Sequence, residues 1–144
     1  HFLTLPTFYK WYEFYKLEWH NGSVVAAGTK FYAGIDIVSN VPTVSTAPTS
    51  ASALLVAHTG EVTLSGVNSW QSSTLVSSSP IRGGTVIGLW VWPEVAVTNM
   101  SVGLVGTGGW GKTITFGAPA TNDTSAWTAL TADAVMRGYF RGYI

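Results

Sequence analysis

The sequence predicts an all-β protein, on three observations. Apolar residues recur at every second position along most of the chain, turn and breaker residues cut these runs into short segments, and almost nothing repeats with helical spacing. About eight to ten short strands in this pattern make an antiparallel sheet folded as a sandwich or barrel, and a jelly-roll-like β-sandwich is the expected architecture. Residues 1–144 amount to a single domain, large enough to bury a core without disulfides or metal.

The elements follow in order. From Phe8 to Trp19, Tyr9, Trp11, Tyr15, Leu17 and Trp19 share one parity against Lys10, Lys16 and Glu18, and Asn21-Gly22 offers a hairpin turn into Ser23–Thr29. Lys30–Val38 alternates Phe31, Ala33, Ile35 and Ile37 against Lys30, Tyr32 and Asp36. Residues 39–52, rich in Ser, Thr and Pro, form a loop. Ala53–His58, a Thr59-Gly60 turn and Glu61–Ser65 read as a hairpin. Strands are also expected at Trp70–Val76, Thr85–Trp92, Ser101–Val105, Lys112–Phe116 and Met136–Tyr143. At most one short helix is expected, near 124–135, capped by Thr124-Ser125 and carrying Trp127, Leu130, Thr131 and Ala134 on one face.

Composition narrows the function classes. Charged residues are 10% of the chain, hydrophobic residues 47%, and seven acids balance seven bases. A neutral chain does not draw polyanions from a distance, so nucleic acid is not an expected partner. No apolar run is long enough to cross a bilayer as a helix, and no membrane insertion is expected. The chain has no cysteine, which removes disulfides and thiolate chemistry together. The opening His1-Phe2-Leu3-Thr4 reads as a processed or trimmed end rather than a signal peptide.

Gly106-Thr107-Gly108-Gly109-Trp110-Gly111-Lys112-Thr113 matches the phosphate-binding pattern GxxxxGK[ST] letter for letter. That chemistry needs a helix beginning within the motif, so that free backbone N–H groups face the anion. Here Lys112-Thr113-Ile114-Thr115-Phe116 alternates like a strand and ends in Gly117 and Pro119. Too little chain follows for the remaining strands of a nucleotide fold. The segment is a glycine-rich bend between strands, and no cofactor is expected.

His1, His20 and His58 show no ligand spacing, so no metal is expected. Nothing selects a catalytic pair among Glu13, Glu18, Asp36, Glu61, Glu94, Asp123 and Asp133, and neither GxSxG nor SxxK occurs. No catalytic residue is assigned. Asn21, Asn99 and Asn122 begin N-glycosylation sequons. Arg137, Tyr139, Arg141 and Tyr143 fall on one face of the last strand, where arginine can pack on aromatic rings.

Seven tryptophans are the candidates for recognition. Trp90 and Trp92 share parity and so point to one sheet face. That face is either buried, in the core or under a neighbouring subunit, or open as a platform on which sugar rings stack. Trp110, in its glycine loop, is the candidate for an exposed contact.

The run from Ala53 through Gly60-Glu61, then Asn68-Ser69-Trp70-Gln71, then Ser79-Pro80 to Gly84 and Gly88-Leu89-Trp90-Val91-Trp92, resembles β-sandwich modules of bacteriophage heads and tails and of secreted glycan-binding proteins. The resemblance implies a jelly-roll-like sandwich in virion structure or adhesion, and it transfers no catalytic residue. The expectation is a non-enzymatic virion protein, capsid-decorating or tail-associated, whose partners are copies of itself or a capsid or tail protein. It would sit on a virion surface or outside cells. A carbohydrate-binding module using Trp90, Trp92 or Trp110 on surface glycans is the alternative, and a glycoside-active enzyme the residual.

Overall fold

The structure, a computed structural model, describes residues 2–21, 28–39, 46–47, 54–66, 68–94, 110–111, 116–119, 128–129 and 135–144. Its strands are β1 (Phe2–Thr4), β2 (Trp11–His20), β3 (Lys30–Ile37), β4 (Leu54–Thr59), β5 (Val62–Thr63) and β6 (Trp70–Ser78). They continue with β7 (Ile81–Arg82), β8 (Val86–Pro93), β9 (Trp110–Gly111), β10 (Thr128–Ala129) and β11 (Met136–Tyr143). Among the described residues there is no helix.

Seven strands run in the order β1-β8-β3-β4-β6-β2-β11, with β5 added to β3 and β7 to β2. All pairings are antiparallel, and the sheet curls into a half-barrel. The corner is β6. Its first part, Trp70–Thr74, pairs with β2, and its last, Leu75–Ser78, packs into the ladder of β4. A strand that changes partner midway is how a sheet turns a corner. At one mouth the segment between β1 and β2 binds the β7–β8 turn, with Gly83 N–H donating to Lys10 O and Gly84 N–H to Leu5 O.

The core fills the curl. Tyr12, Leu17, Trp19, Phe31, Ile35, Ile81 and Ile87 are fully buried, and each apolar side chain of this kind contributes about 1.5–3 kcal/mol. Trp19 on β2 and Phe31 on β3 lie with ring centroids 6.2 Å apart, although β4 and β6 separate their strands. Trp19 Nε1 is buried without a hydrogen-bond partner among the described residues. The indole is therefore held by packing rather than by its polar edge.

Several expectations hold. Lys30–Ile37, Val86–Pro93 and Met136–Tyr143 are strands within a residue or two of where alternation places them. Others need correction. Expected as one uninterrupted alternation, β2 buries Tyr12 and Phe14, then Leu17 and Trp19, and leaves Trp11 and Tyr15 exposed. The pairing with β11 slips between Tyr139 and Phe140, so Lys16 and Phe14 face consecutive residues and Tyr15 is the extra one. A one-residue bulge exchanges the faces of everything beyond it. Of the expected Asn21-Gly22 hairpin into Ser23–Thr29, residues 22–27 lie outside the described residues; β2 has β6 on one edge and β11 on the other.

Thr59-Gly60 is likewise no hairpin turn. β4 pairs with Gly34–Ile37 and β5 with Lys30–Phe31, so both lie along the same edge of β3 in one direction. Between them the chain bulges, and the Thr59 hydroxyl oxygen accepts the buried Ala33 N–H at 3.0 Å. The side chain replaces the missing ladder carbonyl. The helix expected near 124–135 is interrupted by β10, Thr128–Ala129, which pairs with β9; Trp127, Leu130, Thr131 and Ala134 lie outside the described residues. So do Ser101–Val105, most of Lys112–Phe116, and the 39–52 loop except Ser39, Thr46 and Ala47.

Thr59→Val keeps the shape of the side chain but strands the Ala33 N–H. It is expected to cost about 1–3 kcal/mol in urea unfolding, whereas Thr59→Ser, which keeps the acceptor, stays closer to the parent.

Candidate functional site

Two surfaces gather the aromatic residues that point away from the core. The first is the outer face of β8, β3 and β4. Ala33, Ile35, Ile87 and Leu89 are buried on the inner face, so Tyr32, Asp36, Trp90 and Trp92 turn outward, and each is half-buried. In register, Trp90 faces Gly34 and Gly34 faces His58; Trp92 faces Tyr32. A β-carbon on Gly34 would strike the Trp90 ring and come within 2.8 Å of the Ala57 carbonyl oxygen. The indole therefore lies over Gly34, in the space that the absent side chain leaves, and its Nε1 donates to Asp36 Oδ1 at 3.0 Å. The ring is pinned in plane from below and at its edge. The same device recurs at Gly88 under Phe2 and Gly138 under Phe14, aromatic cover over strand glycine.

Trp92 has a different role from Trp90. Its ring meets Tyr32 at 6.3 Å and Phe116 at 5.5 Å, while Tyr32 and Phe116 approach to 5.2 Å. These three rings largely cover one another. His58 Nδ1 sits 2.7 Å from Thr59 O; a carbonyl can only accept, so Nδ1 carries the proton, and in that neutral tautomer Nε2 is an acceptor. Trp90 with Asp36 and His58 thus offers a flat apolar surface bordered by acceptors, the chemistry that suits a ring with one face of C–H groups and hydroxyls at its rim.

The second surface is the outer face of β2, β6 and β11. Glu18 is its hub: it accepts from Tyr139 OH at 2.8 Å and from Lys16 Nζ at 3.1 Å, with Arg137 at 3.9 Å. Lys16 lies over the Tyr139 ring, Arg137 over Trp70 at 4.0 Å and Arg141 over Tyr15 at 5.4 Å. His20 meets Trp70 edge-on, and Tyr143 OH donates to Glu13. The expected packing of Arg137 and Arg141 on aromatic rings is thus present. Trp11, Tyr15, Trp70 and Tyr143 on this face remain substantially exposed, while Phe140 turns to the other side against Tyr12 and Phe14.

Trp110 is not the exposed loop tip expected from its glycines. It is half-buried in β9 and paired with Ala129; a residue in a ladder has its backbone fixed and one face covered. Of the surrounding glycine motif, 106–109 and Lys112-Thr113 lie outside the described residues. Asn21 is fully buried, its backbone N–H bound to Ser69 O, so its sequon is closed to modification in the folded chain. Asn99 and Asn122 lie outside the described residues.

Asp36, His58, Gly34 and Glu18 were not singled out from the sequence for these surfaces. The alternation of Tyr32, Gly34 and Asp36 against buried neighbours is the signal for Asp36; cross-strand register, which brings His58 and Glu18 to their partners, leaves none. Among the described residues no group of three or more His, Asp or Glu is arranged to hold a metal ion, and no helix is long and apolar enough to cross a membrane. No family model, curated protein or solved structure matches the chain.

The Glu18 carboxyl is held below the ordinary carboxylate range, first by the Tyr139 hydroxyl and then by Lys16 and Arg137, against the opposing effect of burial. A carboxylate depressed on folding stabilises fully above its unfolded pKa of about 4.3, and that stability is lost as pH falls through the lower folded value. Melting temperatures followed from neutral to strongly acidic pH are expected to drop less steeply at the acid end in Glu18→Gln.

Proposed function

We propose that this protein is a non-enzymatic structural protein of bacteriophage virion type, a capsid-decorating or tail-associated module on the virion surface that works by burying aromatic faces against copies of itself or a shell protein. The observation that carries this reading is the outer face of β2, β6 and β11, where Trp11, Tyr15, Trp70 and Tyr143 stand exposed in an ordered array. Trp, Tyr and Arg are the residues that dominate binding energy at protein interfaces, and here Arg137 and Arg141 are already stacked on such rings. With charged residues at 10% of the chain, such surfaces have little electrostatic protection against contact. In this reading the half-barrel forms part of a jelly-roll-like sandwich, as the resemblance to phage modules implies.

Mass photometry over a dilution series is the direct check. Reversible assemblies above the monomer are expected, with Trp70→Ala weakening association about tenfold. A monomer at every concentration, with no binding to a shell protein, would overturn the reading.

A carbohydrate-binding module is the second reading, and the pinned indole of Trp90 beside Asp36 and His58 favours it. A glycan array is expected to return polysaccharide ligands whose binding is lost in Trp90→Ala and retained in Trp92→Ala, since only Trp90 lies outside the three-ring cluster.

A further inference from the structure

The last strand of the sheet, β11, is paired on one edge only among the described residues. Val135 and Tyr143 turn their carbonyls to β2, where His20 and Lys10 donate to them. Backbone groups alternate sides along an antiparallel strand, so the N–H and C=O of Met136, Gly138, Phe140 and Gly142 face away from β2. No described strand pairs with them; β8 comes near β11 without joining its ladder. Tyr143 and Phe140 are 47% and 42% exposed, and Ile144 is 98% exposed.

An open edge of this length is a template for another strand, and the side chains specify which. Residues 137–143 read Arg-Gly-Tyr, Phe140, Arg-Gly-Tyr. Laid antiparallel against itself with Phe140 opposite Phe140, the strand sets Arg137 opposite Tyr143, Gly138 opposite Gly142, Tyr139 opposite Arg141 and Met136 opposite Ile144. Every arginine meets a tyrosine, every glycine a glycine, and the outward backbone groups of the even-numbered residues meet one another as hydrogen-bonded pairs.

Other registers fail for identifiable reasons. A shift of one residue opposes outward groups to inward ones and breaks the ladder. Moving the pairing two places sets Arg137 against Arg141 one way and Arg141 against its own copy the other, and like charges directly opposite are unfavourable. Within each copy the arginines are already backed by acid, since Arg137 is in register with Glu18 and Arg141 with Glu13. The Tyr139 and Tyr143 hydroxyls are tied to those same carboxylates, which holds the rings in place.

We infer that β11 pairs with β11 of a second copy of this chain across a two-fold axis through Phe140, continuing one sheet through the dimer. This deepens the assembly reading above and rests on it.

The chain has no cysteine, so Phe140→Cys carries a single thiol. Hydrogen-bonded antiparallel partners lie about 5.5 Å apart at Cα, within disulfide range. Arg137→Cys is the control, because its two copies would sit six residues apart, roughly 20 Å along the strands. Mild oxidation is expected to give at least ten times more covalent dimer from Phe140→Cys than from Arg137→Cys. Phe140→Pro deletes an N–H that β2 does not use, at an edge where proline is tolerated; it is expected to keep a β-type circular dichroism spectrum and sediment as a monomer. Equal cross-linking by the two cysteine variants, or a Phe140→Pro protein that still dimerises, overturns the edge pairing while association of the parent leaves the assembly reading standing. A parent that never associates overturns both.

Discussion

The contact between Trp19 and Phe31 is the constraint from which the rest of the molecule follows. Two strands lie between them in the sheet, so in a flat sheet with strands about 4.8 Å apart they would be separated by roughly 14 Å. Their rings are 6.2 Å apart. The sheet has to curl to bring them together, and β6 supplies the curl by pairing with β2 over one part of its length and β4 over the other. Once curled, Tyr12, Leu17, Ile35, Ile81 and Ile87 share one interior. The opposite faces are left to everything that is polar, charged or flatly aromatic.

Curling a sheet of so many aromatic residues creates a volume problem, and glycine resolves it. Trp90 lies over Gly34, Phe2 over Gly88 and Phe14 over Gly138 because each glycine leaves the space that a β-carbon would take. The consequence differs by face. On the inner face Phe14 fills the core above Gly138. On the outer face Trp90 becomes a level surface whose tilt is set by backbone below and by Asp36 at its edge, which makes it a better platform than a tryptophan standing free.

On the outer face of β2 and β11 the charged residues organise rings. Glu18 binds Tyr139, Lys16 and Arg137 at once, and Glu13 holds Tyr143. Exposed ion pairs add little to stability on their own. Here they do something else: they fix the orientation of Tyr139, Tyr143 and the arginines along β11, so that an edge strand presents an ordered pattern instead of a mobile one. That order is what the proposed assembling face and the proposed strand register rest on.

By itself the sequence determined the all-β character, the location of β3, β8 and β11, the common face of Trp90 and Trp92, and the stacking of Arg137 and Arg141 on aromatic rings. These rest on side-chain alternation and local propensity, which act within a few residues. The tertiary structure decided the bulges at Tyr15 and Thr59, the partners of β2, the half-burial of Trp110 in a strand and the burial of Asn21. It also decided the meeting of Gly34 with Trp90 and of Glu18 with Tyr139. A bulge is a single residue of slippage between distant strands, and no local pattern encodes it. Which glycine lies beneath which ring, and which edge is left open, depends on strand order, set only when the whole sheet closes on its core.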